Sequence, residues 1–196
     1  MAVPLVGLTG GLGAGKSTAL AELASLGAAV LSADAVVHEL YETETVRDAV
    51  RERFGGAVLD GERVDRAALA TRVFENEDDR VWLEQFLWPL VKQRAEQFYA
   101  EACRREQPPR AAVIEAPLLF EAGGDAPYTA TIAVVADDAL RASRIAARDQ
   151  AQLARREERQ LPQPEKARRA TYTVVNDGSV AELRDQLSDV LEKICR

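Results

Sequence analysis

Short apolar segments alternate along this chain with longer segments in which apolar residues recur at helical spacing. The apolar segments predict buried strands, and they cover residues 3–9, 28–31, 111–115, 129–135 and 172–175. The helical patterns cover residues 16–26, 34–109, 137–148, most of 152–170 and 180–195. Buried strands that alternate with helices favour an α/β fold, in which a parallel sheet carries helices on both faces.

The helical pattern between residues 34 and 109 is too long for a single crossover between two strands. We interpret about residues 59–108 as a helical insertion, with Pro89 as a kink. In open α/β folds, ligands bind at the carboxyl ends of the strands. The sequence therefore predicts that the insertion lies at that edge of the sheet.

The stretch GLTGGLGAGKST, residues 7–18, connects the first predicted strand to the first predicted helix. Residues 10–17 match the pattern G-x-x-x-x-G-K-[ST]. Glycines let several backbone N–H groups turn toward one phosphate, and the following helix directs its amino terminus at the same anion. The pattern predicts a nucleoside triphosphate site, in which Lys16 contacts the β- and γ-phosphates and Ser17 offers its hydroxyl to Mg²⁺. The residues predicted to bind the nucleotide here are Gly11, Leu12, Gly13, Ala14, Gly15, Lys16, Ser17 and Thr18.

An acidic residue follows the second predicted strand, which we expect to lie beside the first. Asp34 ends the sequence L-S-A-D, where its carboxylate could accept a proton from an acceptor hydroxyl. Asp is equally favoured as a helix N-cap, so the residue type alone leaves both roles open. His38 lies one helical turn later on the same face and is a candidate substrate contact, although a single surface histidine often has no function.

Charge and composition narrow the possible partners. The 196-residue chain has a net charge of −7, which argues against a long polyanion such as a nucleic acid as its partner. Its two cysteines, Cys103 and Cys195, form no metal-binding or disulfide pattern, which suits a reducing compartment. We find no apolar run of membrane-spanning length and no signal-peptide pattern, so we expect a cytoplasmic protein.

The positive charge concentrates in one segment of this acidic chain. Residues 141–169 contain eight Arg and one Lys but only four acidic residues. Arg141, Arg144 and Arg148 fall on one helical stripe, and arginine suits bidentate phosphate contacts. The segment could close over phosphates as a lid, or it could be a solvated helical face.

Several motifs together resemble the dephospho-coenzyme A kinase family, and they extend over nearly the whole chain. These motifs are GLTGGLGAGKS at 7–17, S-A-D at 32–34, R-x-x-L-x-x-x-V-F at 66–74, P-L-L-F-E at 117–121, R-x-x-x-R-D at 144–149, Q-L-P-x-x-x-K at 160–166 and N-D-G-S at 176–179. The glycine-rich motif fits many families. The combination of P-L-L-F-E with R-x-x-x-R-D at this spacing fits far fewer families.

The resemblance implies a three-layer P-loop kinase fold of the α/β class, with a five-stranded parallel sheet, a helical substrate-binding insertion and a helical lid. It implies one domain over residues 1–196, in which residues 1–58 and 109–196 form the nucleotide-binding core. The insertion would cover about residues 59–108 and the lid about residues 141–165.

The resemblance also implies the activity and the residues that perform it. The enzyme would transfer the γ-phosphoryl group of MgATP to the ribose 3′-hydroxyl of dephospho-coenzyme A. Asp34 would be the general base, and Lys16, Arg144 and Arg148 would stabilise the phosphates. Asn176 and Gly178 would lie near the ATP adenine. The remaining expected acceptor contacts are Thr9, Asp34, His38, Trp88, Leu118 and Leu119.

The chain departs from the family pattern at a few positions. Trp88 stands where the family usually has His before Pro, Ser32 replaces an acidic residue, Glu115 replaces an Asp, and the lid is about three residues shorter. Trp88 could stack on the adenine of the acceptor or pack into the helical core. Glu115 could orient Mg²⁺ through water or could be structural.

Two other functions fit parts of this pattern. Another small-molecule or nucleotide kinase would phosphorylate a different acceptor, and a non-catalytic regulator would bind ATP without turnover. The presence of Asp34, Lys16 and the arginines favours catalysis. We expect a monomer that binds ATP and dephospho-coenzyme A and contacts neither nucleic acid nor a membrane.

Overall fold

The computed structural model describes residues 2–123, 127–146 and 159–196. The described chain divides into two compact units, Met1–Ser32 with Phe98–Arg196, and Ala33–Gln97. We call them the sheet unit and the helical unit. The helical unit begins earlier than residue 59, the predicted start of the insertion, because it also contains the two helices that follow the second strand.

The centre of the sheet unit is a five-stranded sheet in which all neighbouring strands are parallel, as the sequence predicted. Its strands are β1 (Leu5–Gly10), β2 (Ala29–Ser32), β5 (Ala112–Glu115), β6 (Ala130–Val135) and β7 (Tyr172–Val175). The strand order is β2-β5-β1-β6-β7. The expectation that β2 lies beside β1 was therefore wrong, because the crossover through the first helix skips one position, which β5 fills.

Helices flank this sheet, which confirms the α/β class and the P-loop kinase architecture. The helices in the described part of the sheet unit are α1 (Lys16–Ser25), α6 (Asp138–Ala146), α7 (Gln163–Arg169), α8 (Val180–Ile194) and the end of α5 (Glu77–Arg104). Val6 and Leu8 of β1 are fully buried in a cluster with Leu23 of α1 and Leu187 of α8. Between them, Gly7 faces the other way, toward Leu119 and Tyr128. The alternation of β1 therefore buries both faces of the central strand.

The helical unit contains four helices and a short hairpin. Its elements are α2 (Ala33–Tyr41), α3 (Glu44–Phe54), a 3₁₀ turn (Gly56–Val58), β3 (Leu59–Asp60), β4 (Arg63–Val64), α4 (Arg66–Glu75) and the first part of α5. The all-helical interpretation of residues 34–109 missed the hairpin, in which Asp60 pairs with Arg63 and Gly61 and Glu62 form the two-residue turn. Helix α5 continues through Pro89.

A small apolar core holds the helical unit together. It comprises Val46, Val50, Val58, Leu69, Leu83 and Leu87. Beside it, Trp82 stacks on Phe86 with a centroid distance of 5.4 Å and meets the edge of Phe54. Burial of these side chains away from water is the main stabilising contribution to such a unit. Within the described residues, no helix has the length and apolar character needed to span a membrane.

Candidate active site

The glycine-rich loop lies between the end of β1 at Gly10 and the start of α1 at Lys16. Gly15 occupies the N-cap position of α1 with φ 92°. This left-handed backbone conformation is strained for any residue that has a Cβ atom, and glycine adopts it without strain. A Cβ atom at Gly15 would overlap the side-chain amide of Asn176. The first turn of α1 contains no acidic residue. The amino terminus of this helix therefore keeps its positive partial charge for an anion.

Side-chain donors hold five successive carbonyl groups of this loop, from Gly10 to Ala14. Lys16 Nζ donates to the carbonyl oxygens of Gly10 and Gly11, at 3.1 Å each. The other three donors are Arg141 Nε to Leu12 at 2.8 Å, Arg144 Nη1 to Gly13 at 3.3 Å and Asn176 Nδ2 to Ala14 at 2.8 Å. These bonds fix the peptide planes of the loop before any phosphate binds. Fixed peptide planes are what a cradle of backbone N–H donors requires.

The two arginines of α6 contact this loop, but in different ways. Arg141 also forms an ion pair with Asp138 at 2.8 Å, and its side chain is 12% exposed. Arg144 also donates to the carbonyl oxygen of Asn176 at 3.1 Å, so one guanidinium joins the loop to the end of β7. The predicted arginine stripe thus lies beside the phosphate loop as far as Arg144, while Arg148 lies outside the described residues.

Oxygen ligands suitable for Mg²⁺ lie at the same ends of the strands. Ser17 is exposed in the first turn of α1. Glu115 ends β5, is 6% exposed and accepts a hydrogen bond from Ser32 Oγ at 2.8 Å. Hydroxyl and carboxylate oxygens are the ligand types that Mg²⁺ prefers. The described residues contain no group of three or more His, Cys, Asp and Glu residues that could hold a metal ion.

Three of the predicted acceptor contacts belong to the sheet unit. Thr9 is fully buried and donates through Oγ1 to the carbonyl oxygen of Pro117 at 3.4 Å. Leu118 is half-buried, whereas Leu119 is 3% exposed and packs against Gly7. In this structure Leu119 therefore contributes mainly to packing.

The other three predicted acceptor contacts belong to the helical unit. Asp34 and His38 are exposed on α2, four residues apart, so they share one helical face. Trp88 of α5 is 49% exposed. This exposure excludes the alternative that Trp88 packs into the helical core, a position that Trp82 occupies instead.

Sequence reasoning missed several contacts that shape the site. Asn176 was expected near the ATP adenine, but its side chain anchors Ala14 of the loop. Gln163 pairs its side-chain amide with both the N–H and the carbonyl of Ala136, at 3.0 and 2.9 Å. Lys166 is fully buried and contacts Pro117 and Glu121. The Q-L-P-x-x-x-K motif was a signal for Lys166 but not for its partners, and Gln163 falls at a variable position of that motif.

Comparisons with known proteins agree with this geometry. A family model described as dephospho-CoA kinase matches residues 4–182. A dephospho-CoA kinase from Rhodopseudomonas palustris (strain BisB18) is 37% identical over 95% of this chain and 94% of its own length. A dephospho-CoA kinase from Helicobacter pylori (strain J99) is 32% identical over 96% of both proteins.

Solved structures show the same fold. The crystal structure of TT1252 from Thermus thermophilus superposes with a TM-score of 0.82 at 34% identity and covers 98% of both chains. A dephospho-CoA kinase from Campylobacter jejuni superposes with a TM-score of 0.70 at 22% identity, over 97% of this chain and 96% of the other. The family model covers the whole helical unit and most of the sheet unit, and these relatives align with 95–98% of the chain. The chain belongs to the dephospho-CoA kinase family.

Proposed function

We propose that this protein transfers the γ-phosphoryl group of ATP to the ribose 3′-hydroxyl of dephospho-coenzyme A, giving coenzyme A and ADP. This would be the last step of coenzyme A synthesis. The observation that carries the proposal is the phosphate loop of residues 10–17, whose carbonyls are held by Lys16, Arg141, Arg144 and Asn176. Family membership selects the acceptor, and it favours this kinase over other small-molecule kinases and over a non-catalytic regulator.

The sheet unit binds the nucleotide in this proposal. The loop amides and the amino terminus of α1 hold the β-phosphate, and Lys16 leaves the carbonyls of Gly10 and Gly11 to contact the β- and γ-phosphates. Arg144 and Arg148 stabilise the charge that develops on the migrating phosphoryl group. Asn176 and Gly178 border the nucleoside, next to the loop residue Gly15 that Asn176 already contacts.

The acceptor hydroxyl loses its proton to Asp34 while its oxygen attacks the γ-phosphorus, and ADP leaves with the bridging oxygen. Asp34 follows the end of β2 by two residues and is exposed, which suits a base that must reach a substrate. Thr9 and Leu118 of the sheet unit and His38 of the helical unit complete the proposed acceptor contacts, while the buried Leu119 packs against Gly7. Trp88 offers an exposed ring face on which the acceptor adenine stacks.

Mg²⁺ accompanies ATP in this proposal, with Ser17 as its protein ligand and Glu115 acting through water. When bound, the ion neutralises phosphate charge and orients the γ-phosphoryl group. We further propose a cytoplasmic monomer with small-molecule substrates and with no nucleic-acid or membrane partner. The acidic net charge of −7 supports the absence of a polyanionic partner.

A coupled ADP-release assay with MgATP tests this function. We expect turnover with dephospho-coenzyme A and none above background with AMP, adenosine or no acceptor. Turnover with AMP alone would replace the proposal with a nucleotide kinase. ATP binding without turnover on any of these acceptors would support the regulator instead.

A further inference from the structure

Lys166 of α7 is a buried charged residue that the proposed mechanism does not use. Its side chain is fully buried, and its ammonium group donates to the carbonyl oxygen of Pro117 and forms a 3.0 Å ion pair with Glu121 Oε1. Burial lowers the pKa of Lys166, and the neighbouring Glu121 carboxylate partly opposes this shift. Lys166 and Glu121 are 45 positions apart in sequence, and the pair joins the motifs P-L-L-F-E and Q-L-P-x-x-x-K.

Further hydrogen bonds converge on the same two groups. Glu121 Oε1 also accepts from the backbone N–H of Leu161 at 2.7 Å, so one carboxylate oxygen holds two points of the chain segment 161–166. The carbonyl of Pro117 also accepts from Thr9 Oγ1, at the end of β1 where the phosphate loop begins. The segment 117–121 is thereby held from α7 on one side and from β1 on the other.

Selection for stability alone would not favour the buried ion pair of Lys166 and Glu121. Taking a lysine and a glutamate out of water costs several kcal/mol per ion, and well-packed apolar residues often replace such a pair without loss of stability. A lysine can, however, donate to a chosen carbonyl and fix the position of that peptide, which an apolar side chain cannot do. The pair therefore suits a segment whose position must be defined closely.

We infer that Lys166, together with Glu121, is a positioning residue for the acceptor, because it fixes the segment 117–121 beside Thr9. The inference rests on the proposed function, in which Thr9 and Leu118 contact the acceptor. The nucleotide loop does not depend on this pair, since Lys16, Arg141, Arg144 and Asn176 hold its carbonyls. Loss of the pair thus affects use of the acceptor and leaves ATP binding unchanged.

The test compares Lys166→Met with the double variant Lys166→Met/Glu121→Leu, and uses Lys193→Met, at an exposed lysine of α8, as the control. For both Lys166 variants we expect kcat/KM for dephospho-coenzyme A to fall about tenfold, while the Kd for MgATP without acceptor changes less than about twofold. The double variant removes the unpaired buried carboxylate and regains much of the wild-type Tm, but not the acceptor kcat/KM. Lys193→Met retains all three values.

Wild-type acceptor kinetics in the double variant would overturn the inference, as would equal losses for ATP and acceptor. If neither Lys166 variant folds, Glu121→Gln takes their place, with an expected fall in acceptor kcat/KM of about threefold. Unchanged acceptor kinetics in Glu121→Gln would then overturn the inference. If the wild type itself shows no acceptor-dependent ADP release, the proposed function fails, and the inference fails with it.

Discussion

At the scale of single residues, the phosphate loop depends on side chains far away in the sequence. The motif itself predicted the roles of Lys16 at the phosphates and of Ser17 at Mg²⁺, and it predicted that the loop needs glycine. It could not predict that Arg141, Arg144 and Asn176 hold the loop carbonyls, because these contacts form only when β6 and β7 pair beside β1. The arginine stripe and the N-D-G-S motif predicted these residues as nucleotide contacts, and their contacts with the loop carbonyls are additional to that prediction.

Gly15→Ala tests the close approach of Asn176 to the loop. The new Cβ would overlap the Asn176 amide and would force a side chain into a backbone conformation with φ 92°. Strain of this kind costs about 1–3 kcal/mol, so we expect MgATP affinity to fall by about fivefold to about a hundredfold in isothermal titration calorimetry.

Gly56→Ala is the matched control for this glycine. A Cβ at Gly56 meets no atom within 4 Å, and its φ lies outside the left-handed region. We expect its ATP affinity to equal that of the wild type. ATP binding by Gly15→Ala within twofold of the wild type would show that the anchored loop geometry is not needed for the nucleotide.

At the scale of helices and strands, the sequence predicted most elements of the sheet unit because their apolar patterns are strong. All five strands and helices α1 and α8 lie within a few residues of their predicted bounds. The predicted position of β2, beside β1, was wrong because strand order depends on pairing between distant segments. The hairpin of β3 and β4 was missed because strands of two residues carry almost no periodic signal.

Helix α8 offers a test of local capping. Ser179 Oγ accepts from the backbone N–H of Glu182 at 3.2 Å, and Glu182 Oε2 accepts from the N–H of Ser179 at 2.7 Å. We expect Ser179→Ala to lower the free energy of unfolding by about 1 kcal/mol in urea denaturation at neutral pH. Ser25→Ala, at an exposed helical serine without a capping bond, should change it by less than about 0.5 kcal/mol.

The capping box also predicts a dependence on pH. Hydrogen bonds from Ser179 lower the pKa of Glu182 below its ordinary value. Its stabilising contribution is therefore present above the ordinary pKa of glutamate and is lost as the pH falls through the lowered value. The difference in stability between the wild type and Glu182→Gln should shrink over this acidic range, and a constant difference would contradict the assigned hydrogen bonds.

Three helices of the helical unit meet at one buried carboxylate. Asp79 of α5 accepts from Arg53 of α3 at 3.0 Å and from Arg72 of α4 at 2.7 Å, and its side chain is 7% exposed. We expect Asp79→Asn to cost about 2 kcal/mol of unfolding free energy, because two charge-assisted bonds weaken at a buried position. Asp78→Asn, at the exposed neighbouring residue, is the control. Equal stability of the two variants would show that the two arginine contacts contribute nothing.

At the scale of the whole molecule, the residues proposed to bind the nucleotide and those proposed to bind the acceptor fall in both units of the chain. The sheet unit holds the nucleotide loop, and the helical unit carries Asp34, His38 and Trp88. The glycine motif and the family motifs allowed the fold class and reaction to be predicted from sequence, because the motifs are distributed from residue 7 to residue 179. The division at Ala33 rather than near residue 59 depends on packing, and no sequence motif marks it.

The most direct test is to incubate dephospho-coenzyme A with MgATP and the wild type, Lys16→Ala or Asp34→Ala. The rate of product formation, the mass of the product and the position of its new phosphate are measured for each protein. The account predicts a 3′-phosphorylated product with the wild type. Both variants should lose at least about a hundredfold in kcat, since one lacks the phosphate cation and the other the base. Binding of MgATP should weaken in Lys16→Ala and persist in Asp34→Ala. Product formation by Asp34→Ala at the wild-type rate, or a phosphate at another position, would contradict the account.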